Sequence, residues 1–173
     1  MTMRQTLHLL LVGFAVTSAG KIRAQDASSP PVAPIPQAFQ AAKTVFISNA
    51  GADSGLFPHP FNGDPDRPYN EFYAAIRAWG RYAIVSDPSQ ADIVFELQLS
   101  APNGPANADK TKGASDPLPM FRLVILDRRS HYILWALTES ILPANLQKTH
   151  DRNFDDAITT IAEDVKRLAA AKP

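Results

Sequence analysis

Cysteine is absent from the 173 residues, so no disulfide can staple the fold and no thiol can accept a lipid. Stability must come from a core of the chain's own side chains. A surplus of positive charge is also missing, with 17 Lys and Arg against 17 Asp and Glu. That balance speaks against nucleic-acid binding, where Lys and Arg contacts to phosphate dominate affinity. No apolar run reaches the roughly 20 residues a membrane-spanning helix needs. The phosphate-binding patterns G-x-x-x-x-G-K-[ST] and G-x-G-x-x-G do not occur, nor does H-E-x-x-H or an EF-hand loop. The sequence therefore implies no cofactor, no metal and no catalytic set.

What is present begins with MTMRQTLHLLLVGFAVTSAGKIRAQ. Arg4, the apolar run Leu7–Val16 and the small residues after it have the layout of a secretory signal peptide. Residues 1–24 are read as that signal, cleaved after Ala24, with Ala19 the alternative. Its removal takes three of the 17 basic residues (Arg4, Lys21 and Arg23) and no acidic one, leaving a mature chain with about three excess negative charges. The expected location is periplasmic or secreted. Residues 25–42, QDASSPPVAPIPQAFQAA, are proline-rich without an apolar period and read as an extended linker. One domain, 43–173, follows.

Within it, Thr44–Ser48 is a β-branched and aromatic run that breaks at Asn49-Ala50-Gly51. After a loop to Arg67, Pro68 opens a helix carrying Tyr69, Phe72, Tyr73, Ile76 and Trp79 at helical spacing, and Gly80 stops it. Arg81–Val85 is a second strand. Ile93, Phe95, Leu97 and Leu99 alternate with Val94, Glu96, Gln98 and Ser100, the mark of a half-buried strand. Ala101–Pro119 is a polar loop with little to bury and is expected to be mobile. Met120–Leu126 and Tyr132–Ile141 flank a polar turn as a hairpin, and apolar groups on both faces of the second strand predict a central position for it. A helix from about Asn153 to Ala171 carries Phe154, Ile158, Ile161, Val165 and Leu168 on one stripe, with Asp151 or Asn153 as its N-cap. The fold class is α/β (α+β), in the order β-α-β-β-β-β-α: a mixed, mostly antiparallel sheet with two helices on one face. Trp79, Trp135 and Ile161 are expected in the core.

The chemistry turns on FISNAGADSGLF, residues Phe46–Phe57. Ser54 follows a strand, as a nucleophile would, with His59 or His150 as the histidine a serine hydrolase needs. Yet Gly51-Ala52-Asp53-Ser54-Gly55 puts the serine one place later than G-x-S-x-G, and Ser54 reads as a turn residue. Asp53, His59, Asp64 and Asp66 are hard-ion ligand types, but beside Gly and Pro they read as turn formers. The proline-stiffened loop Ala50–Arg67 carries apolar anchors among carboxylates. Asp53, Leu56, Phe57, His59, Phe61 and Asp64 are the expected interaction surface, unless Phe57 and Phe61 pin the loop onto the sheet.

The helix ending at Trp79, the strand-turn GRYAIVSDPSQ, Ala91-Asp92-Ile93-Val94 and the strand Leu123–Asp127 before a hairpin resemble one group of exported domains. It comprises the N-terminal domain of the Tol–Pal translocation protein, the curli-secretion lipoproteins and the lipoprotein activators of penicillin-binding proteins. The chain also resembles small uncharacterised secreted proteins of soil bacteria that share the F-I-S-N-A-G opening. The resemblance implies a non-catalytic envelope-assembly or binding domain whose partner is an envelope protein or an extracellular ligand. No lipidation cysteine is present and no β-propeller follows.

Overall fold

The computed structural model describes residues 33–102 and 118–171. The chain divides into Met1–Ala33 and Pro34–Pro173, and only the second unit is described below. The signal segment and most of the loop Ala101–Pro119 lie outside the described residues.

Five strands form one sheet: β1 (Thr44–Ala52), β2 (Ala83–Ile84), β3 (Ile93–Ser100), β4 (Met120–Asp127) and β5 (Ile133–Ser140). Their spatial order is β2-β1-β3-β4-β5. β1 runs parallel to β2 and to β3, while the longer ladders β3–β4 and β4–β5 are antiparallel. Helices α2 (Arg67–Trp79) and α3 (Gln147–Ala170) cover one face and touch each other. The expected architecture is the observed one, with a short helix α1 (Gln37–Ala41) added before it.

The alternation read in β3 is realised fully. Ile93, Phe95, Leu97 and Leu99 are buried under the helices, and the residues between them are half-exposed. Being central, β3 sets the register of its neighbours. One row across the covered face joins Ile47, Phe95, Ile125 and Trp135. Each large aliphatic or aromatic side chain removed from water here contributes about 1.5–3 kcal/mol, and Phe72 and Ile76 of α2 with Phe154, Ile161 and Val165 of α3 supply the opposing layer. Gly80 ends α2 in the left-handed region (φ 71°), its N–H donating to Ile76 C=O at 3.3 Å, where a side chain on Cβ would be strained.

Five expectations are corrected. β5 is an edge strand, not a central one, because among the described residues only β4 pairs with it. Its apolar residues on both faces reflect partial exposure: Tyr132 and Ile133 stand in solvent and Trp135 is only half-buried, as is Trp79. Ile161 is fully buried, as expected. The core also starts before Lys43, since Phe39 of α1 is 1% exposed and packs on Tyr82 and Phe95. The second strand shrinks from Arg81–Val85 to two residues. Finally, α3 begins at Gln147, so Asp151 and Asn153 lie inside it rather than capping it. No side chain caps Leu146, and long-range bonds hold the first turns: Gln147 Nε2 to Pro60 C=O at 2.7 Å, and Asn153 Nδ2 to Leu142 C=O at 2.9 Å.

Candidate functional site

The loop after β1 is pinned from both ends. Phe61 is fully buried, its ring 5.2 Å from that of Phe154 and 6.2 Å from that of His150, and Leu56 is buried with it. Phe57 is half-buried, 6.3 Å from Phe154 and edge-on to it. Peptide bonds Phe57–Pro58 and His59–Pro60 are cis. Asp151 of α3 accepts from the Asn62 backbone N–H (3.0 Å) and from its Nδ2 (2.6 Å).

Arg67 locks this arrangement. Its guanidinium lies 4.2 Å above the Phe154 ring and donates to Glu71 (2.7 Å), Asp151 (2.9 Å), Asp155 (2.6 Å) and Asn62 C=O (2.8 Å). The planar fork of Arg suits several acceptors at once in a way a lysine would not. Burial works against the Arg67 charge, but the Glu71, Asp151 and Asp155 carboxylates outweigh it and raise its pKa further. Burial likewise opposes ionisation of Asp151, yet the bonds from Asn62, Arg67 and Gln147 hold its pKa below the ordinary carboxylate value.

The six residues expected to form an interaction surface therefore separate. Leu56, Phe57 and Phe61 are built into the core layer. Asp53 is exposed and accepts from Ala101 N–H at 2.8 Å, Asp64 is exposed and accepts from Asp66 N–H at 2.9 Å, and His59 is exposed. Ser54 sits in an exposed turn, and among the described residues no hydrogen bond joins it to a histidine. No group of three or more His, Cys, Asp or Glu among the described residues is placed to hold a metal ion.

The motifs that carry the resemblance are fasteners of the fold. Asp92 accepts from Lys43 N–H (2.8 Å) and Thr44 N–H (3.0 Å) at the start of β1, and those bonds lower its pKa. Asp87 accepts from Ser89 N–H, and Asp127 from Ser130 N–H and Oγ at the hairpin turn. Such carboxylate-to-backbone bonds are the ordinary work of Asp in turns.

A cavity of about 380 Å³ lies elsewhere, lined by Phe46, Ile47, Tyr69, Tyr73 and Ile84–Ser86. Its cause is the shortness of β2. β1 pairs with β2 only at Thr44 and Val45, and the last bond is Val85 N–H to Val45 C=O at 2.9 Å. Backbone groups alternate sides along a strand, so those of Ile47 and Asn49 point toward an edge on which no strand lies among the described residues. Ile47 lines the groove from the helix-covered face and Phe46 from the other, so the groove straddles this bare edge. Tyr69 and Tyr73, one turn apart on α2 with rings 6.0 Å apart, form its wall. Asp66 flanks the far end, accepting from Asn49 Nδ2 at 2.9 Å. The sequence assigned both tyrosines to the apolar face of α2. Their hydroxyls, at i and i+4, and the early Asp87-Pro88 turn that cuts β2 short were the available signals.

Among the described residues no helix is long and apolar enough to cross a membrane. No family model matches the chain, and no curated protein matches it. Its structural neighbours are bacterial proteins of PelC, DUF330 and lipoprotein type. A PelC dodecamer from Paraburkholderia phytofirmans aligns at 12% identity over 78% of this chain and 91% of that chain, with a TM-score of 0.45. A Xanthomonas campestris protein of the DUF330 family aligns at 13% over 74% and 82%, with a TM-score of 0.43. An uncharacterised lipoprotein B from Nitrosomonas europaea aligns at 11% over 74% and 81%, with a TM-score of 0.39. Likenesses this distant assign neither partner nor activity.

Proposed function

We propose that the chain is an exported, non-catalytic binding domain of the bacterial envelope that holds an extended segment of a partner protein along the bare edge of β1. This is the kind of role that the resemblance to the Tol–Pal and curli-secretion domains implies. The observation that carries the reading is the groove over Ile47. Unpaired strand backbone, an apolar floor and a tyrosine wall meet there, the elements of recognition by strand addition. Backbone bonds to Ile47 and Asn49 supply affinity, and an apolar side chain of the guest fills the space beside Tyr69 and Tyr73. The exposed carboxylates Asp64 and Asp66 near Asn49 favour a guest with Lys or Arg at that end. In this reading Leu56, Phe57 and Phe61 contribute by stiffening the loop that carries those carboxylates, and Asp53, His59 and Asp64 are its outward-facing members.

A photo-crosslinking residue in place of Tyr73 tests the reading in intact cells. The expected result is one dominant adduct with an envelope protein, lost when Phe46→Asp is added. Labelling no stronger than that from the same residue at exposed Arg152 would overturn it.

A further inference from the structure

Two separate demands of the fold place Asn62 before Gly63. Gly63 has φ 104°, and a Cβ built on it would stand 3.1 Å from Arg67 Cδ, so position 63 takes glycine. Asn62 supplies the tie to Asp151, donating from its backbone N–H at 3.0 Å and from Nδ2 at 2.6 Å. The outcome is the dipeptide most given to cyclisation, because a glycine nitrogen meets little steric hindrance as it approaches the side-chain carbonyl carbon before it. Both residues are exposed, and among the described residues nothing accepts from Gly63 N–H. Arg67 Nη1 donates to Asn62 C=O at 2.8 Å. That carbonyl belongs to the same peptide unit as Gly63 N–H, and a guanidinium drawing on it makes the N–H more acidic. One restraint opposes the reaction. Asp151 holds the Asn62 carboxamide beside Asn62's own N–H, since one carboxylate takes both bonds.

We propose that Asn62 is a site of spontaneous deamidation, timed by the Asp151 latch, and that the product breaks the latch. Once the carboxamide is released, Gly63 N gives up its proton and attacks Asn62 Cγ. The N–Cγ bond forms, the Cγ–Nδ2 bond breaks, and Nδ2 leaves as ammonia, taking up one proton for the one Gly63 lost. Water then opens the cyclic imide at either carbonyl, leaving an aspartyl or an isoaspartyl linkage, with no oxidant or reductant involved. Both products lack the Nδ2 donor, so Asp151 loses its shortest bond. The aspartyl form also sets a second carboxylate against Asp151, where Arg67 is already shared with Asp155 and Glu71. The change is one-way, and it falls on the tie that keeps the loop against α3.

Peptide mapping of the purified chain during incubation at mildly alkaline pH, folded and in urea, tests the timing. Asn62 should convert in both states, but about tenfold or more slowly when folded, because reaction waits on local opening. Asp151→Asn, which weakens the hold on the carboxamide, should narrow that gap. Asn62→Asp copies the product. Its urea midpoint should fall below wild type at neutral pH, and the difference should close in acid, where the protonated side chain donates to Asp151 as Nδ2 did. Should that variant fail to fold, Asn62→Asp combined with Asp151→Asn keeps the test, since exchanging acid and amide restores a donor opposite an acceptor and should restore folding. Conversion as fast in the folded protein as in urea overturns the proposal, as does no conversion while folded, or a gap that Asp151→Asn leaves unchanged. So does an Asn62→Asp variant as stable as wild type at neutral pH, or a loss of stability that the exchange leaves unrepaired.

Discussion

At one margin of the sheet β2 is two residues long and leaves most of β1 bare; at the other, β5 runs eight residues with β4 on one side and no strand on its outer side among the described residues. The bare stretch of β1 lies in a concave setting. Tyr69 and Tyr73 rise beside it, and the loop beyond it is held by Arg67, Asp151 and buried Phe61. β5 carries one extra residue, Leu134, near its start, and its most exposed apolar side chain, Ile133, stands at that end. A walled edge can select a guest by the side chain that fills the pocket, whereas a bulged edge is poorly suited to strand addition. The two edges are therefore unequal as places for a guest strand.

The comparison depends on the loop being part of the rigid body at the β1 margin, and Phe61→Ala tests that most severely. Deleting a fully buried ring between Phe154 and Phe57 should destabilise the domain by about 3–5 kcal/mol in urea unfolding. A loss under about 1 kcal/mol would mean the loop is not packed there. Arg67→Ala removes three ion pairs and the stacking on Phe154, and should cost about 2 kcal/mol, with Arg67→Lys recovering only part.

These features were unequally legible in the sequence. Strand β3, helix α2 with its Gly80 stop, the β4–β5 hairpin and the α3 stripe all follow from local periodicity, and the structure has them. The edge position of β5 does not, because a run apolar on both faces describes a buried strand and an edge strand with exposed ends equally well. The start of α3 was misplaced because its first turns depend on Pro60 and Leu142 rather than on a neighbouring cap. Leu56, Phe57 and Phe61 stood out as anchors, but their inward direction was fixed by Asp151 and Phe154, far along the chain. The groove at Ile47 is a missing partner, and a sequence does not display the strand that stops early.

A smaller effect sharpens the β5 side. Trp135 is half-buried, so Trp135→Ala should cost about 2 kcal/mol, below the 3–5 typical of a fully buried aromatic. Acid titration probes the latch. Asp151 has its pKa lowered in the folded state, so its contribution is complete above the unfolded carboxylate value near 3.9 and fades as pH falls below it. Asp151→Asn should therefore be less stable than wild type at neutral pH, with the gap closing below about pH 4; a gap independent of pH would assign Asp151 a purely steric role. The least change is expected at Ile133, where Ile133→Thr should alter stability by under about 0.5 kcal/mol.

Amide hydrogen exchange at Ile47 and Asn49 tests the central claim most directly. In the free protein both amides should exchange fast, while Val45, paired to β2, and Leu97, in the middle of the sheet, exchange slowly. With the partner captured through position 73 added, Ile47 and Asn49 should become protected, and Leu97 should not change. Protection appearing at other surfaces while Ile47 and Asn49 stay fast would contradict a partner strand on the β1 edge.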